Sequence, residues 1–336
     1  MGRRAVVDYD SLLDRAESDG MCLVTKEKSE NRQFNRLVER GELISPLQGM
    51  FVRPEYWKKL SYGKQHLHMV KALSRQHPDW IFSHHTAALV YGLYVSYPNI
   101  RKFHRSVVKN TSASHALYCN HVVGERCSDI VDGVRVTELD QTLFDCLRSL
   151  DFKDGLAIAD SACRFKGMNP EKLLDILNSF GSKRCPGIRV AKLSANNADA
   201  RSESGGESIA RATMIMDGFK VPELQVLIPD PIGDGKFYRA DFLWELPYGG
   251  KVVGELDGRE KYVNEEMTHG EDIVDILREE RLRESRINTM VARVMRMSFS
   301  DVANERRFIQ LLELFGIPQV NEPWPDDLRR RYSKTG

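Results

Sequence analysis

Leu12, Leu13 and Ala16 recur at helical spacing within Val7–Ser18, a segment that carries charge at its other positions, and Gly20 ends it. A second amphipathic helix is predicted over Ser29–Arg40. Phe34, Leu37 and Val38 share one face, Ser29 is the expected N-cap, and Gly41 closes the C-terminus. Leu43–Ser45 and Met50–Arg53 flank Pro46-Leu-Gln-Gly49 and read as a two-stranded hairpin. Helix, turn, helix and wing in that order predict a winged helix. Pro54–Ser61 reads as a linker or a short turn of helix. Tyr62–Gln76 aligns Leu67, Val70 and Leu73 on one side, and His84–Tyr91 follows as a helix capped by Ser83. Lys102–Val108, Ala116–Val123 and Ile130–Val136 have strand character, with Asp132-Gly133 marking a tight hairpin. Helices over Gln141–Leu150 and Lys153–Phe165 complete a middle α/β region, with helical spacers at Asn169–Phe180 and Ile188–Leu193.

Ser194–Gly206 is polar and small-residue-rich, which makes it the best linker candidate in the chain. Beyond it the pattern predicts a helix over Glu207–Met216 and strands at Leu224–Ile228, Phe237–Trp244 and Lys251–Leu256. A charged helix over Glu271–Ile287, a strand at Met290–Met297 and a helix at Ser300–Phe315 follow. The expected fold class is therefore α/β with several domains. Residues 1–60 form a winged helix, 61–195 a middle α/β domain, and 200–336 an α-β-β-β-α-β domain.

Composition adds three constraints. With 41% hydrophobic and 29% charged residues, the 336-residue chain has the material for packed cores, which excludes disorder as its main state. No run approaches about 18 consecutive apolar residues, so no membrane partner is expected. The six cysteines lack C-x-x-C spacing and read as reduced core thiols of a cytoplasmic protein, not as a disulfide or zinc framework. The net charge of +1 hides an asymmetry. Residues 1–120 hold 18 Lys+Arg against 11 Asp+Glu (+7), 121–200 hold 11 against 12 (−1), and 201–336 hold 20 against 25 (−5). A basic N-terminal part suits phosphate, and an acidic C-terminal part suits a carboxylate site.

Candidate chemistry concentrates in that acidic part. Asp241 lies on one predicted strand and Glu255 on the next, across the hairpin Pro247-Tyr-Gly-Gly250. Period-2 alternation puts Lys251, Val253, Glu255 and Asp257 on one face. Glu207 opens the preceding helix with Arg211 one turn on, so helix packing would bring Glu207 to the strand acids. Converging carboxylates need a cation between them, and oxygen-only ligands suit Mg2+ or Mn2+. Taken singly, each acid also fits a solvated strand or turn position. His84-His85 read as cap or core histidines, because adjacent helical residues diverge by about 100°.

Residues 204–300 resemble the PD-(D/E)XK nuclease superfamily, with its restriction-endonuclease-like fold, in the very-short-patch-repair-like (Vsr-like) branch. The matching text is Glu207-Ser-Ile-Ala-Arg211, Pro222-Glu-Leu-Gln225, Arg239-Ala-Asp-Phe242 and Gly254-Glu-Leu-Asp-Gly-Arg-Glu-Lys-Tyr262. Residues 10–165 are similar to the winged helix and second domain of AbiEi-type antitoxins. That likeness rests on Leu37-Val-Glu-Arg-Gly-Glu-Leu43, Gly49-Met-Phe-Val52, Ser83-His-His-Thr-Ala-Ala88 and Val136-Thr-Glu-Leu-Asp-Gln-Thr-Leu-Phe-Asp145. The first resemblance implies that Asp241 and Glu255 hold a metal, with Glu207 as a further ligand. The superfamily carries Lys two residues after the second acid, where this chain has Asp257. Proton handling then falls to Lys261, Lys251 or Arg259.

On the expected recognition helix, Lys28, Asn31, Arg32, Gln33, Asn35 and Arg36 are the DNA-reading candidates. Lys26, Arg53, Lys58 and Lys59 are candidates for phosphate contacts. Two functions stay open. One is a metal-dependent DNA endonuclease in phage defence. The other is a non-catalytic regulator or antitoxin that binds DNA and a cognate toxin protein.

Overall fold

The computed structural model describes residues 8–25, 27–108, 116–122, 127–181, 185–230, 235, 237–257 and 293–332. Lys26, Lys261 and the expected helix Glu271–Ile287 lie outside them. The chain is mixed α/β, its described strands form three sheets, and it divides into two units, residues 1–146 and 147–336.

In the first unit, α1 (Tyr9–Ser18) starts at Asp8, whose carboxylate accepts from the Ser11 N–H at 3.2 Å. α2 (Lys28–Glu39) begins one residue before the expected Ser29 cap. Glu27 occupies the N-cap position and makes no side-chain cap. Phe34 is buried on α2 and stacks on Phe51, 5.0 Å between centroids, with Leu13 and Leu43 completing a small core. The expected wing hairpin is reduced to a single bridge between Ile44 and Val52. Pro46, two residues beyond Ile44, has no N–H to donate. β2 (Met50–Phe51) instead pairs antiparallel with β1 (Leu23–Val24). Pro54 starts a short helix, α3 (Pro54–Lys59), and Ser61 caps α4 (Tyr62–Gln76).

A five-stranded sheet follows in the order β5 (Tyr118–Val122), β4 (Phe103–Val107), β3 (Ile81–Phe82), β7 (Val134–Thr137), β6 (Ser128–Val131). β4 runs parallel to β5, β3 runs parallel to β7, and the remaining neighbours are antiparallel. At the β6–β7 turn both Asp132 (φ +49°) and Gly133 (φ +75°) are left-handed, as the sequence reading expects of a tight hairpin. α4 and α5 (His84–Val90) cover this sheet with Val70, Leu73, Ala87 and Ala88. Two-residue β3 escapes sequence reading because it is too short to show alternation. α6 (Leu139–Ser149) follows β7 and crosses from the first unit into the second.

The second unit opens with α7 (Phe152–Lys166), α8 (Pro170–Phe180) and α9 (Ile188–Asn196). α10 (Gly205–Met216) comes next, capped by Ser204. The expected linker at 194–206 is a packed segment. α9 continues through Asn196, Ser202 is 3% exposed, and the Asp199 N–H donates to Asp160 at 2.7 Å. Phe152 and Leu156 of α7 and Val190 of α9 pack against Ala212 and Met216 of α10, so these helices belong with the C-terminal sheet.

That sheet has the order β11 (Arg293–Ser298), β10 (Lys251–Asp257), β9 (Phe237–Glu245), β8 (Glu223–Pro229). β10 and β11 are parallel, and the other pairs are antiparallel. Trp244, Phe242, Val252 and Met295 on one face meet Met214 of α10 and Phe308 of α12 (Glu305–Leu314). Gly254 is required where β10 passes that face, because a Cβ there would lie 2.8 Å from the Trp244 ring. The expected final helix at 300–315 is broken into α11 (Phe299–Ala303) and α12. Asn304, extended at ψ 92°, ends one helix, and its side chain caps the next through the Arg307 N–H. α13 (Asp326–Tyr332) closes the described chain.

One buried ion pair fixes α10. Arg211 Nη1 donates to Asp160 Oδ2 of α7 at 2.7 Å, and Nη2 donates to the Asn197 carbonyl at 2.8 Å. Replacing Arg211 with Met leaves a buried carboxylate without its counter-ion. We expect a loss of about 3–5 kcal/mol in denaturant unfolding, largely recovered when Asp160→Leu is added. Additive losses in the double variant would show that the two groups do not act as a pair.

Candidate carboxylate site

Glu207 is set by the cap that begins α10. The Glu207 N–H donates to Ser204 Oγ at 3.2 Å, and the Ser204 hydroxyl donates back to Glu207 Oε1 at 2.9 Å. The Glu203 N–H donates to Glu207 Oε2 at 2.8 Å. Glu203 is itself gripped by both guanidinium nitrogens of Arg239, each at 2.8 Å, and by Arg164 at 2.8 Å. Burial pushes the Glu203 carboxyl up, but those two guanidinium groups hold it below the usual range.

Asp241 meets Glu207 through a residue that sequence reading left out of the site. Gln225 Nε2 donates to Glu207 Oε2 at 3.2 Å and to Asp241 Oδ1 at 3.4 Å. The strands are interrupted at this point. Ala240 and Phe242 pack in opposite clusters although they are two residues apart, and so do Leu224 and Val226 on β8. Gln225 sits in the left-handed region at φ +55°, which is strained for a non-glycine residue. The broken alternation turns Gln225 and Asp241 to the side of Glu207. The Leu256 N–H then fixes Asp241 Oδ2 at 3.0 Å. Burial, reinforced by the charge of Asp241, raises the Glu207 carboxyl above its ordinary value of 4.5.

Glu255 follows Gly254, which pairs with Phe242, so its backbone runs beside Asp241. Its side chain, however, lies on the other face, where the Tyr238 hydroxyl donates to Oε1. Asp257 Oδ1 lies 3.5 Å from Arg296 of β11. Glu207, Asp241 and Glu255 therefore do not form a set whose oxygens all lie within 4.8 Å of one another. The reason is the same break in alternation: it turns Asp241 toward α10 while Glu255 keeps the regular pleat.

In donor chemistry Glu207, Asp241 and Gln225 fit a hard divalent ion. The Gln225 amide nitrogen bridges the two carboxylates, and its Oε1 is buried with no hydrogen-bond partner. Turning over the Gln225 amide would aim that oxygen between Glu207 and Asp241. Gln225 lies within a motif already quoted, but its backbone angle carries no sequence signal. Arg211, expected beside Glu207, is committed to Asp160. Trp244 is wholly buried, its indole N–H donating to the Lys220 carbonyl at 2.8 Å.

On α2, Lys28, Arg32, Gln33, Asn35 and Arg36 are exposed and Asn31 is half-buried. Asn35 donates to Asn31 at 3.1 Å, and the Tyr9 hydroxyl donates to Gln33. Arg32 and Arg36 make no ion pair among the described residues. Arg53 is not available for phosphate: it binds Asp10, Asp14 and Glu17 at 3.0, 2.7 and 3.1 Å. A guanidinium already shared by three carboxylates gains little from a fourth anion. Lys58 pairs with Glu55 at 3.0 Å.

The raised Glu207 carboxyl gives a pH signature. The folded protein binds this proton more tightly than the unfolded chain, so the contribution is fully present well below pH 4.5 and is lost as pH rises above it. Wild-type stability relative to Glu207→Gln should fall over that range in denaturant titrations. A difference that grows with pH would contradict the assignment. No helix among the described residues is long and apolar enough to cross a membrane. No family model matches the chain, and no curated protein matches it.

Proposed function

We propose that this chain is a metal-dependent DNA endonuclease that works in the cytoplasm. Its C-terminal unit would be a PD-(D/E)XK-like nuclease, and α1 through β2 a reduced winged helix that contacts DNA. The observation that carries the reading is the Gln225 amide spanning Glu207 on α10 and Asp241 on β9, where both strands lose their alternation. Strain and a raised carboxyl pKa at one spot are what a ligand site costs a fold. Glu207, Asp241 and Gln225 would hold Mg2+ or Mn2+, while Glu255 stays with Tyr238 on the other face. Such an ion supplies an activated water and neutralises charge on the phosphate.

The chain's own residues have defined parts. The Leu256 amide and Gln225 fix the two Asp241 oxygens, and Tyr238 orients Glu255. Glu203 holds Glu207 while discharging its own charge onto Arg164 and Arg239. Asp257, standing where the superfamily has Lys, is a carboxylate beside Arg296 and supplies no ammonium. Lys261 remains the candidate for proton transfer. Incubation of supercoiled and linear DNA with Mg2+ or Mn2+ should give cleavage, reduced by roughly 100-fold or more in Asp241→Ala. Absence of cleavage with either ion, or equal cleavage by the variant, would refute the proposal.

A second reading rests on a separate observation: Glu207, Asp241 and Glu255 each already accept protein hydrogen bonds. A chain of that kind keeps the scaffold without chemistry and acts as a DNA-binding regulator or antitoxin with a cognate toxin protein. Salt-sensitive binding to DNA of its own upstream region should then survive Asp241→Ala and Glu255→Ala, and weaken at least ~10-fold in Arg32→Ala/Arg36→Ala. Unchanged affinity in the arginine double variant, measured by fluorescence anisotropy, removes this reading.

A further inference from the structure

His84-His85 find in the folded chain the partners that the sequence does not place near them. β4 and β5 run parallel with His104 opposite Cys119 and Ser106 opposite His121. This register puts two imidazoles and a thiol together at one edge of the five-stranded sheet. His104 Nδ1 and His121 Nε2 are 2.9 Å apart, one ring donating to the other. One ligand atom from each of His104, Cys119 and His121 lies within 4.8 Å of the other two, and all three residues are half-buried.

α5 completes the surroundings. The His84 ring stacks on His121 at 3.5 Å between centroids, and the His85 ring lies 4.7 Å from His104. His84 Nδ1 is 3.9 Å from buried Asp145. The docking is rigid: the His104 N–H donates to Thr86 Oγ1 at 2.8 Å, and the Ser83 N–H donates to the His104 carbonyl at 3.0 Å. His84 takes a left-handed backbone, φ +48°, to begin its helix there. Four imidazoles and a thiol are thus gathered by strand register and one strained helix start.

We propose that His104, Cys119 and His121 form a Zn2+ site with three protein ligands and a fourth position for water. Two imidazole nitrogens and a thiolate are the donors of a borderline-soft ion, not of Mg2+. Zn–N distances of about 2.0–2.1 Å at a tetrahedral angle separate two ligand nitrogens by roughly 3.3 Å. The His104–His121 hydrogen bond therefore has to open by only a few tenths of an ångström, its proton shifting to the donor ring's other nitrogen and the thiol proton leaving to solvent. The His84 ring, stacked on His121 and itself 3.9 Å from Asp145, buttresses the His121 ring. This site is independent of the carboxylates on β9 and β10.

The test uses the full chain, reduced and stripped of metal. Calorimetric titration with Zn2+ should show one site per chain, weakened at least ~100-fold in Cys119→Ser and in His121→Gln and unchanged in Cys127→Ser. Co2+ in place of Zn2+ should give a thiolate-to-metal charge-transfer band that Cys119→Ser abolishes. Per-cysteine alkylation of wild-type protein, read by peptide mass spectrometry, needs no variant: Zn2+ should protect Cys119 and leave exposed Cys127 reactive. Absence of Zn2+ binding to wild type, or binding that neither variant weakens, or Cys119 alkylated equally with and without Zn2+, overturns the proposal.

Discussion

The buried Arg211–Asp160 pair is the constraint on which the carboxylate site depends. Both groups are almost inaccessible, and burial lifts the Asp160 carboxyl above its ordinary range despite the adjacent guanidinium. A pair in that position contributes less to net stability than to register, because desolvating two charges offsets most of their attraction. In the observed seating of α10 on α7, Arg211 reaches Asp160 and the Asn197 carbonyl together. That seating places the first turn of α10, and Glu207 with it, over the break in β8 and β9. It also explains why the polar segment before α10 is packed: Asn197 and Asp199 lend backbone groups to the same network.

The acids of the second unit are managed by hydrogen bonds from the protein. Glu207 receives the Glu203 amide, the Ser204 hydroxyl and Gln225, while Asp241 receives Gln225 and the Leu256 amide. Such donors lower the repulsion between neighbouring carboxylates without removing it, and Glu207 stays raised. A divalent cation would do the same with more charge.

In the first unit, charge is spent in two ways. Arg53 ties the start of α3 to the acidic side of α1, an internal use that net charge along the chain does not distinguish from phosphate binding. On α2, Phe34 faces the core while Arg32 and Arg36 face outward, so the basic surface there is a consequence of amphipathic packing. The histidines of β4, β5 and α5 show a third pattern, in which imidazole and thiol donors meet at a sheet edge.

Most helices and strands were legible in the order of residues. Local periodicity and capping groups act over a few positions, so α4, α7, α10 and β8 through β10 lie close to where hydrophobic spacing puts them. The same pattern set the pleat that gives Val253 and Glu255 a common face. What the order could not contain were relations between distant segments: Arg211 choosing Asp160, Arg53 choosing α1, Gln225 bridging Glu207 and Asp241, and Cys119 arriving beside His104 and His121. Each depends on strand register, on a helix seat, or on a backbone angle such as φ +55° at Gln225. Those quantities are fixed only when the whole chain minimises buried, unpaired polar groups at once, and no window of sequence carries that sum.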